Sequence, residues 1–244
     1  MSLKEKIIEM KKIILPLIVI LFLTSSCLNR RIDGNGVITT EQRDVDQFNS
    51  VITDGVFNVY LSQGRTHEVQ VETDENLQGI VKIRTVNNHL YVDLAENTKF
   101  ESTKMNIYIT SPTYEKIDCD GVVNINSTGT IVTPNLKIEN DGVGNINLDV
   151  ICESLSINSD GVGNTTLNGE SENLTIRNSG VGDVDAYDHI SMIVNIVNSG
   201  VGNSEVYVTE ELDVTISGVG NVYYKGNPDY VHSNISGVGK LKKR

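Results

Sequence analysis

The chain has 244 residues, a formal net charge of −12 and a composition that is poor in helix-forming residues. It contains 21 glycines and no tryptophan, and its alanines are Ala95 and Ala186. This composition favours strands over helices, and so acidic a chain is a poor partner for nucleic acids or anionic membrane surfaces. We therefore expect an all-β protein that does not bind nucleic acid.

The first 27 residues resemble the signal peptide of a bacterial lipoprotein. Met10-Lys11-Lys12 is a basic start, and the apolar run over 13–23 is too short to span a bilayer. Leu23-Thr24-Ser25-Ser26-Cys27 then resembles a lipobox, although Thr24 stands where that family usually has leucine. We expect Cys27 to be the site of lipid attachment, which would anchor the protein without spanning the membrane. An ordinary cleaved signal peptide is the alternative.

Residues 28–44 are polar and are interpreted as a tether, which leaves 45–244 as the folded domain. Alternating apolar residues predict a series of strands before the C-terminal half. Asn87-Asn88 predicts a hairpin turn between two of them. We expect these N-terminal strands to continue or cap the structure that follows. The predicted strands are 50–52, 56–61, 67–72, 80–83, 90–94 and 105–109.

The C-terminal half repeats Gly-Val-Gly-Asn, or a close variant, with spacings of 21, 19, 19, 20, 18 and 19 residues between first glycines. A period of this length is typical of one coil of a solenoid. The sequence therefore predicts a parallel β-helix, or β-solenoid, with two strands per coil over about 115–240. The copies are 121–124, 142–145, 161–164, 180–183, 200–203, 218–221 and 237–240.

Apolar residues recur at fixed positions around this motif. Counted from the first glycine, positions −6, −4, +4 and +6 are apolar in most coils, as Leu155 and Ile157 illustrate, and they are predicted to face inward. Position −2, often asparagine, lies an even number of residues from these positions and is therefore predicted to face inward as well. The glycines let adjacent coils approach without a Cβ clash, and we expect the valine between them to point into the core. The motif asparagines are expected to adopt left-handed geometry and to bond along the axis.

The pattern of 48–55, Asn76-Leu77, 90–92 and 105–112, together with the Asp-Gly-Val-Gly-Asn repeats, resembles the head GIN domain family of auto-transporter adhesins. The resemblance covers about Val45 to Gly239. It implies a β-helical fold and a lipoprotein or secreted protein of Bacteroidetes-type bacteria. A heptad stalk and a C-terminal barrel segment, which trimeric surface adhesins have, are not recognised in this sequence. A lipid on Cys27 would replace the barrel as anchor.

No catalytic, cofactor or metal site is predicted. The aspartates before the motif are candidates for a calcium ladder, but serines continue their column, which favours turn hydrogen bonding. The histidines lack metal-ligand spacing and are predicted to lie on the surface. The two other cysteines occupy different coil positions, which favours small core residues over a disulfide. The aspartates are Asp54, Asp120, Asp141 and Asp160, the histidines are His67, His89, His189 and His232, and the cysteines are Cys119 and Cys152.

These observations predict a non-catalytic, lipid-anchored cell-envelope protein whose solenoid binds a protein or glycan. A structural module, which could form a homo-oligomer through its coil ends, is the alternative. Four cations within 240–244 are expected to block growth of that edge. A polysaccharide-acting β-helix enzyme is the third hypothesis, which the short coils disfavour because they build no cleft. Residues 28–31 lack an acidic export run, which favours the periplasmic side of the outer membrane over the cell surface.

Overall fold

The computed structural model describes residues 31–95 and 98–244, so that Cys27 and the predicted signal peptide lie outside the described residues. Within these two ranges, no helix is long and apolar enough to cross a membrane. A single 3₁₀ turn, Glu75–Ile80, interrupts the described strands. In chain order the strands are β1 (Arg31–Asp33), β2 (Ile38–Arg43), β3 (Ser50–Gln63), β4 (Glu68–Asp74), β5 (Val81–Val86), β6 (His89–Leu94), β7 (Lys99–Glu101), β8 (Met105–Ser111), β9 (Lys116–Asn140), β10 (Ile146–Ser159), β11 (Thr165–Asn178), β12 (Val184–Asn198), β13 (Ser204–Ile216), β14 (Val222–Lys225), β15 (Tyr230–Ile235) and β16 (Leu241–Lys243).

One 14-stranded sheet forms the solenoid. Eleven of its strands follow the order β16-β14-β13-β12-β11-β10-β9-β3-β8-β4-β2, and the other three lie beside this path, where β15 pairs with β13 and β6 pairs with β3 and β5. Strands β9 to β13 pair in parallel with the coil before and the coil after. Each of β10 to β13 has 13–15 residues and runs through both of the apolar stretches predicted for its coil. The predicted β-solenoid is therefore confirmed.

The N-terminal strands both continue and close the solenoid. Strands β6 and β8 lie parallel to the two halves of β3 and so add one further coil. Strands β5, β4 and β2 then pair antiparallel and end the parallel stack. The hairpin predicted between β5 and β6 is confirmed, because Asn87 and Asn88 have φ values of 51° and 63°, as in a type I′ turn.

The region interpreted as a tether, 28–44, contains two strands of the fold from Arg31 onward. Strand β1 pairs with β7, and β2 pairs with β4 along its whole length. The side chains of β2 are mostly exposed. Backbone pairing rather than apolar burial holds this strand in place, so that hydrophobic patterning could not reveal it.

The buried carboxylate of Asp74 fixes the N-terminal segments to the fold. It accepts hydrogen bonds from the backbone N–H of Gly36 at 2.7 Å and of Thr103 at 2.8 Å, and from the Thr103 hydroxyl at 3.0 Å. Burial alone would raise the pKa of Asp74, but these hydrogen bonds outweigh burial and hold the pKa below its ordinary value.

Acid is therefore expected to loosen this end of the molecule. A lowered folded-state pKa means that the contribution of Asp74 to stability is complete above the unfolded-state pKa of about 3.9 and is lost as the pH falls through the folded-state pKa. The protection of backbone amides over 31–43 against hydrogen exchange, taken relative to the intrinsic exchange rate at each pH, should fall across that range. In the Asp74→Asn variant protection should be low throughout, and an unchanged acid dependence in this variant would show that another group is responsible.

The core is a stack of matching apolar layers. Leu136, Leu155 and Leu174 stand in register on consecutive coils, and each is at most 2% exposed. The cysteines are confirmed as small core residues, since Cys119 and Cys152 are buried and free. Burial raises the pKa of the Cys119 thiol to about 12 and that of Cys152 to about 11, so both thiols are protonated at neutral pH.

Candidate functional site

The glycine motif forms the same corner in every coil, where successive backbones come too close for a side chain. A Cβ on Gly161 would lie 2.0 Å from the carbonyl oxygen of Gly142, and one on Gly163 would lie 1.8 Å from that of Gly144. Gly163 also has a φ of 150°. The predicted role of the glycines in close approach of the coils is thus confirmed.

A further copy of the motif lies in β3, before the regular repeats begin. Gly55–Asn58 pairs residue for residue with Gly121–Asn124. The sequence signal was Asp54-Gly55-Val56-Phe57-Asn58, in which Phe57 replaces the second glycine. The copy escaped the periodicity argument because the N-terminal cap is inserted between it and the next copy.

The motif valine faces solvent, so the prediction that it points into the core is wrong. Position 0 is inward-facing, as the buried Gly161 shows, and the alternation of a strand then turns position +1 outward. Seven of these valines are 47–51% exposed, and Val238 is 72% exposed. Parallel bridges join them coil to coil from Val122 onward. We call this column the valine ladder; its members are Val56, Val122, Val143, Val162, Val181, Val201, Val219 and Val238.

A polar column runs beside the valine ladder. In it the side-chain Oδ1 of every member before Asn221 accepts the backbone N–H of the next coil, for example Asn164 N to Asn145 Oδ1 at 2.9 Å. The predicted bonding along the axis is confirmed. The predicted left-handed geometry is wrong, because Asn87 and Asn88 are the non-glycine residues with positive φ in the described chain. We call this column the asparagine ladder: Asn124, Asn145, Asn164, Asp183, Asn203 and Asn221.

Polar side chains also support the corner from inside. As predicted for position −2, Asn140, Asn178 and Asn198 face inward and are at most 3% exposed. The Nδ2 of Asn178 donates to the Gly182 carbonyl at 3.0 Å, and that of Asn198 donates to the Gly202 carbonyl at 2.7 Å. These bonds hold the second glycine of the motif, so that the exposed ladder rests on a fixed backbone.

The aspartate column makes hydrogen bonds beside the corner. Asp120 accepts the N–H of Gly121 at 2.7 Å, and Asp160 accepts the hydroxyl of Ser179 on the next coil. Burial, followed by the nearby carboxylates of Asp160 and Asp118, raises the pKa of Asp141. Within the described chain, no group of histidine, cysteine, aspartate and glutamate side chains is arranged to hold a metal ion.

One of the histidines predicted to lie on the surface is in fact buried. His189 is 0% exposed, with Nε2 3.0 Å from Ser171 Oγ and Nδ1 3.2 Å from the Asn168 carbonyl oxygen. A register shift between β11 and β12 precedes it, and this shift changes which side chains turn inward. Burial lowers the pKa of His189, so the ring is neutral at pH 7. The spacing of 20 residues from Gly180 to Gly200, one more than in each of the two coils before, is the signal from which this shift could have been found.

Residues 47–228 match the family model described as "Putative auto-transporter adhesin, head GIN domain". The chain belongs to the head GIN domain family. The resemblance noted from the repeats is thereby confirmed, and the domain is expected in the cell envelope or at the cell surface. Among curated proteins, none matches the chain.

Solved structures share the fold of this head GIN domain. A "putative adhesin" from Bacteroides fragilis NCTC 9343 is 29% identical, with a TM-score of 0.85 over 87% of this chain and 100% of the other. A "putative adhesin" from Parabacteroides distasonis ATCC 8503 is 21% identical, with a TM-score of 0.70 over 88% and 100%. A "putative lipid binding protein" from the same organism is 21% identical, with a TM-score of 0.66 over 88% and 100%. The two less similar structures bear on the fold alone.

Proposed function

We propose that this head GIN domain is a non-catalytic, adhesin-like module that binds a protein or glycan along the valine ladder. The observation that carries the proposal is the ladder itself, in which half-exposed valines repeat at the spacing of adjacent strands, about 4.8 Å. Contiguous apolar surface of this kind marks interaction sites on soluble proteins. The inner asparagines fix the backbone beneath it, so that little ordering is required on binding.

The chemistry of the face constrains the ligand. The backbone of the corner is already paired between coils, as in Val162 N to Gly142 O at 2.9 Å. Addition of a ligand strand to this backbone is therefore disfavoured, and contact is made by side chains. The valines offer methyl groups, and the exposed Asn145 and Asn164 offer amide donors. A ligand with an apolar face and regularly spaced acceptors, in a glycan or a repetitive protein surface, fits this arrangement.

The binding test compares a variant of the valine ladder with a variant at an equally exposed valine outside the ladder. Residues 28–244 are screened against a glycan array and, after cross-linking, against envelope proteins. Val162→Ser, Val181→Ser and Val201→Ser combined should weaken binding roughly 10–100-fold, since each removes part of a buried apolar contact. Val86→Ser, at a hairpin residue that is 47% exposed, should have no effect. Ligands retained by the triple variant, or a wild-type domain without any ligand, would contradict the proposal.

We further propose that Cys27 carries a lipid that holds the domain at the periplasmic side of the outer membrane. The support is the lipobox-like run Leu23–Cys27 and the lack of an acidic stretch after it. Cys27→Ala should release the protein from the membrane fraction. Protease treatment of intact cells should leave the wild-type protein uncut, whereas cleavage would place it on the surface.

A structural role through the last coil is the second candidate. Strand β15 pairs with β13 and exposes Tyr230, Val231 and Ile235. The cations predicted to protect this edge instead lie partly against the preceding coil, with Arg244 3.7 Å from the Tyr223 ring. We still expect no fibres, because Lys240 and Lys242 add charge at the edge. An apparent molar mass from light scattering that rises with protein concentration would favour assembly instead.

A further inference from the structure

A second exposed apolar surface lies at the other bend of the coils, midway between successive glycine corners. It lines a groove with a volume of about 700 Å³. Three glutamates stand among its apolar residues, so we call it the acid-rimmed groove. Its apolar part consists of Val132, Ile151, Ile190 and Met192, and its charge comes from Glu153, Glu170 and Glu172.

The apolar part of the groove is a column across neighbouring coils. Val132, Ile151, Glu170 and Ile190 are partners in register on β9 to β12. The aliphatic members are 55%, 37% and 44% exposed, and Met192 beside them is 46% exposed. Three exposed aliphatic side chains in this column, together with the neighbouring Met192, offer a site for the apolar residues of a partner.

The charge of the groove has one sign. Glu153, Glu170 and Glu172 line it, and no basic side chain does so among the described residues. No ion pair formed within 31–95 and 98–244 involves these three carboxylates. The chain as a whole carries −12, so the field around the groove attracts cations and repels anionic partners.

The floor of the groove is polar but internally satisfied. Ser171 Oγ lies 3.0 Å from Ser191 Oγ and 3.0 Å from His189 Nε2. Since the floor has no unmet hydrogen bond at Ser171, recognition rests on the apolar walls and on the glutamates. The same saturation makes Ser171 a structural hydroxyl rather than a free nucleophile.

We infer that the acid-rimmed groove binds a cationic amphipathic peptide segment of a partner protein. Leucine-like side chains would pack on Val132, Ile151 and Ile190, while lysine or arginine would face the glutamates. Charge complementarity selects this occupant, because an uncharged apolar segment would leave the three carboxylates unpaired and an acidic one would be repelled. The groove is distinct from the valine ladder, so the inference does not depend on the proposed function.

The test uses a fluorescein-labelled 12-residue peptide of alternating leucine and lysine, with residues 28–244 and fluorescence anisotropy as the readout. This peptide should bind, and its affinity should fall with added salt. Peptides of alternating serine and lysine, or of leucine and glutamate, should bind at least 10-fold more weakly. Failure of the leucine–lysine peptide to bind, or equal binding of all three, would overturn the inference.

Variants locate the binding. The combination Glu153→Gln, Glu170→Gln and Glu172→Gln should weaken binding at least 10-fold, and so should Ile190→Ser with Met192→Ser. A charge-matched control at the other end of the molecule, Asp44→Asn, Asp46→Asn and Glu75→Gln, should bind like wild type. Equal losses in the control would show attraction to net charge alone and would overturn the site. The triple valine-ladder variant should bind the peptide normally, which separates this test from that of the proposed function.

Discussion

Replacing Gly163 with alanine is expected to lower the free energy of unfolding by about 3 kcal/mol or more. The new Cβ would lie 1.8 Å from the Gly144 carbonyl oxygen, at a residue whose φ is 150°. The backbone of this coil must then move away from the preceding one, which disrupts hydrogen bonds between the two coils such as Gly144 N to Val162 O at 2.9 Å. Urea unfolding followed by circular dichroism measures the change.

Gly129→Ala is the matched control for this substitution. Gly129 lies in β9, has no positive φ, and a Cβ there would meet nothing within 4 Å. We expect its unfolding midpoint to stay close to that of wild type. If Gly163→Ala and Gly129→Ala are equally stable, the corner does not require glycine, and the packing of coils at the motif is not as described.

The second large effect is expected from Leu155→Ala in the core. Leu155 is fully buried between Leu136 and Leu174 of the adjacent coils. Removing a buried leucine side chain costs about 2–5 kcal/mol through lost apolar burial and the remaining cavity. Because each coil packs on its two neighbours, the loss should be transmitted to the parallel stack as a whole. Thermal and urea unfolding both measure it.

Val162→Ala is the control for the core substitution. It removes methyl groups of similar chemistry from a residue that is 49% exposed. A loss below about 1 kcal/mol is expected, since much of this side chain is already in water. A loss as large as that of Leu155→Ala would mean that the ladder valine is a core residue in solution.

The fold could be predicted because the same pattern of glycines and apolar residues recurs in every coil. The fixed spacing of glycines and the apolar residues at −6, −4, +4 and +6 gave the coil, its parallel register and its inward face. Asn87-Asn88 gave the hairpin through the specific backbone that such a turn requires. Two predictions failed for different reasons. Strand β2 was missed because it is held by backbone pairing without apolar patterning, and the burial of His189 was missed because a register shift reverses which side chains face inward.

The outward orientation of the motif valines could also have been predicted from this apolar alternation. The alternation that places Leu155 and Ile157 inside also places Val162 outside, once it is continued through the buried Gly161. The apolar character of valine suggested burial instead, but at this corner the geometry of the strand decides. The acid-rimmed groove could not be found in this way, because it needs the register of Val132, Ile151 and Ile190 across three coil pairs.

The most direct test of the exposed ladder is the reactivity of a cysteine placed in it. In Val181→Cys, the new thiol should react with a maleimide in the folded protein at a rate near that of a small free thiol, because Val181 is 51% exposed. The native Cys119 and Cys152 are buried with raised pKa values and should react slowly, and Ile176→Cys, at a fully buried position, should too. A Val181→Cys thiol that reacts only after unfolding would contradict an outward-facing ladder and, with it, the binding face proposed for this domain.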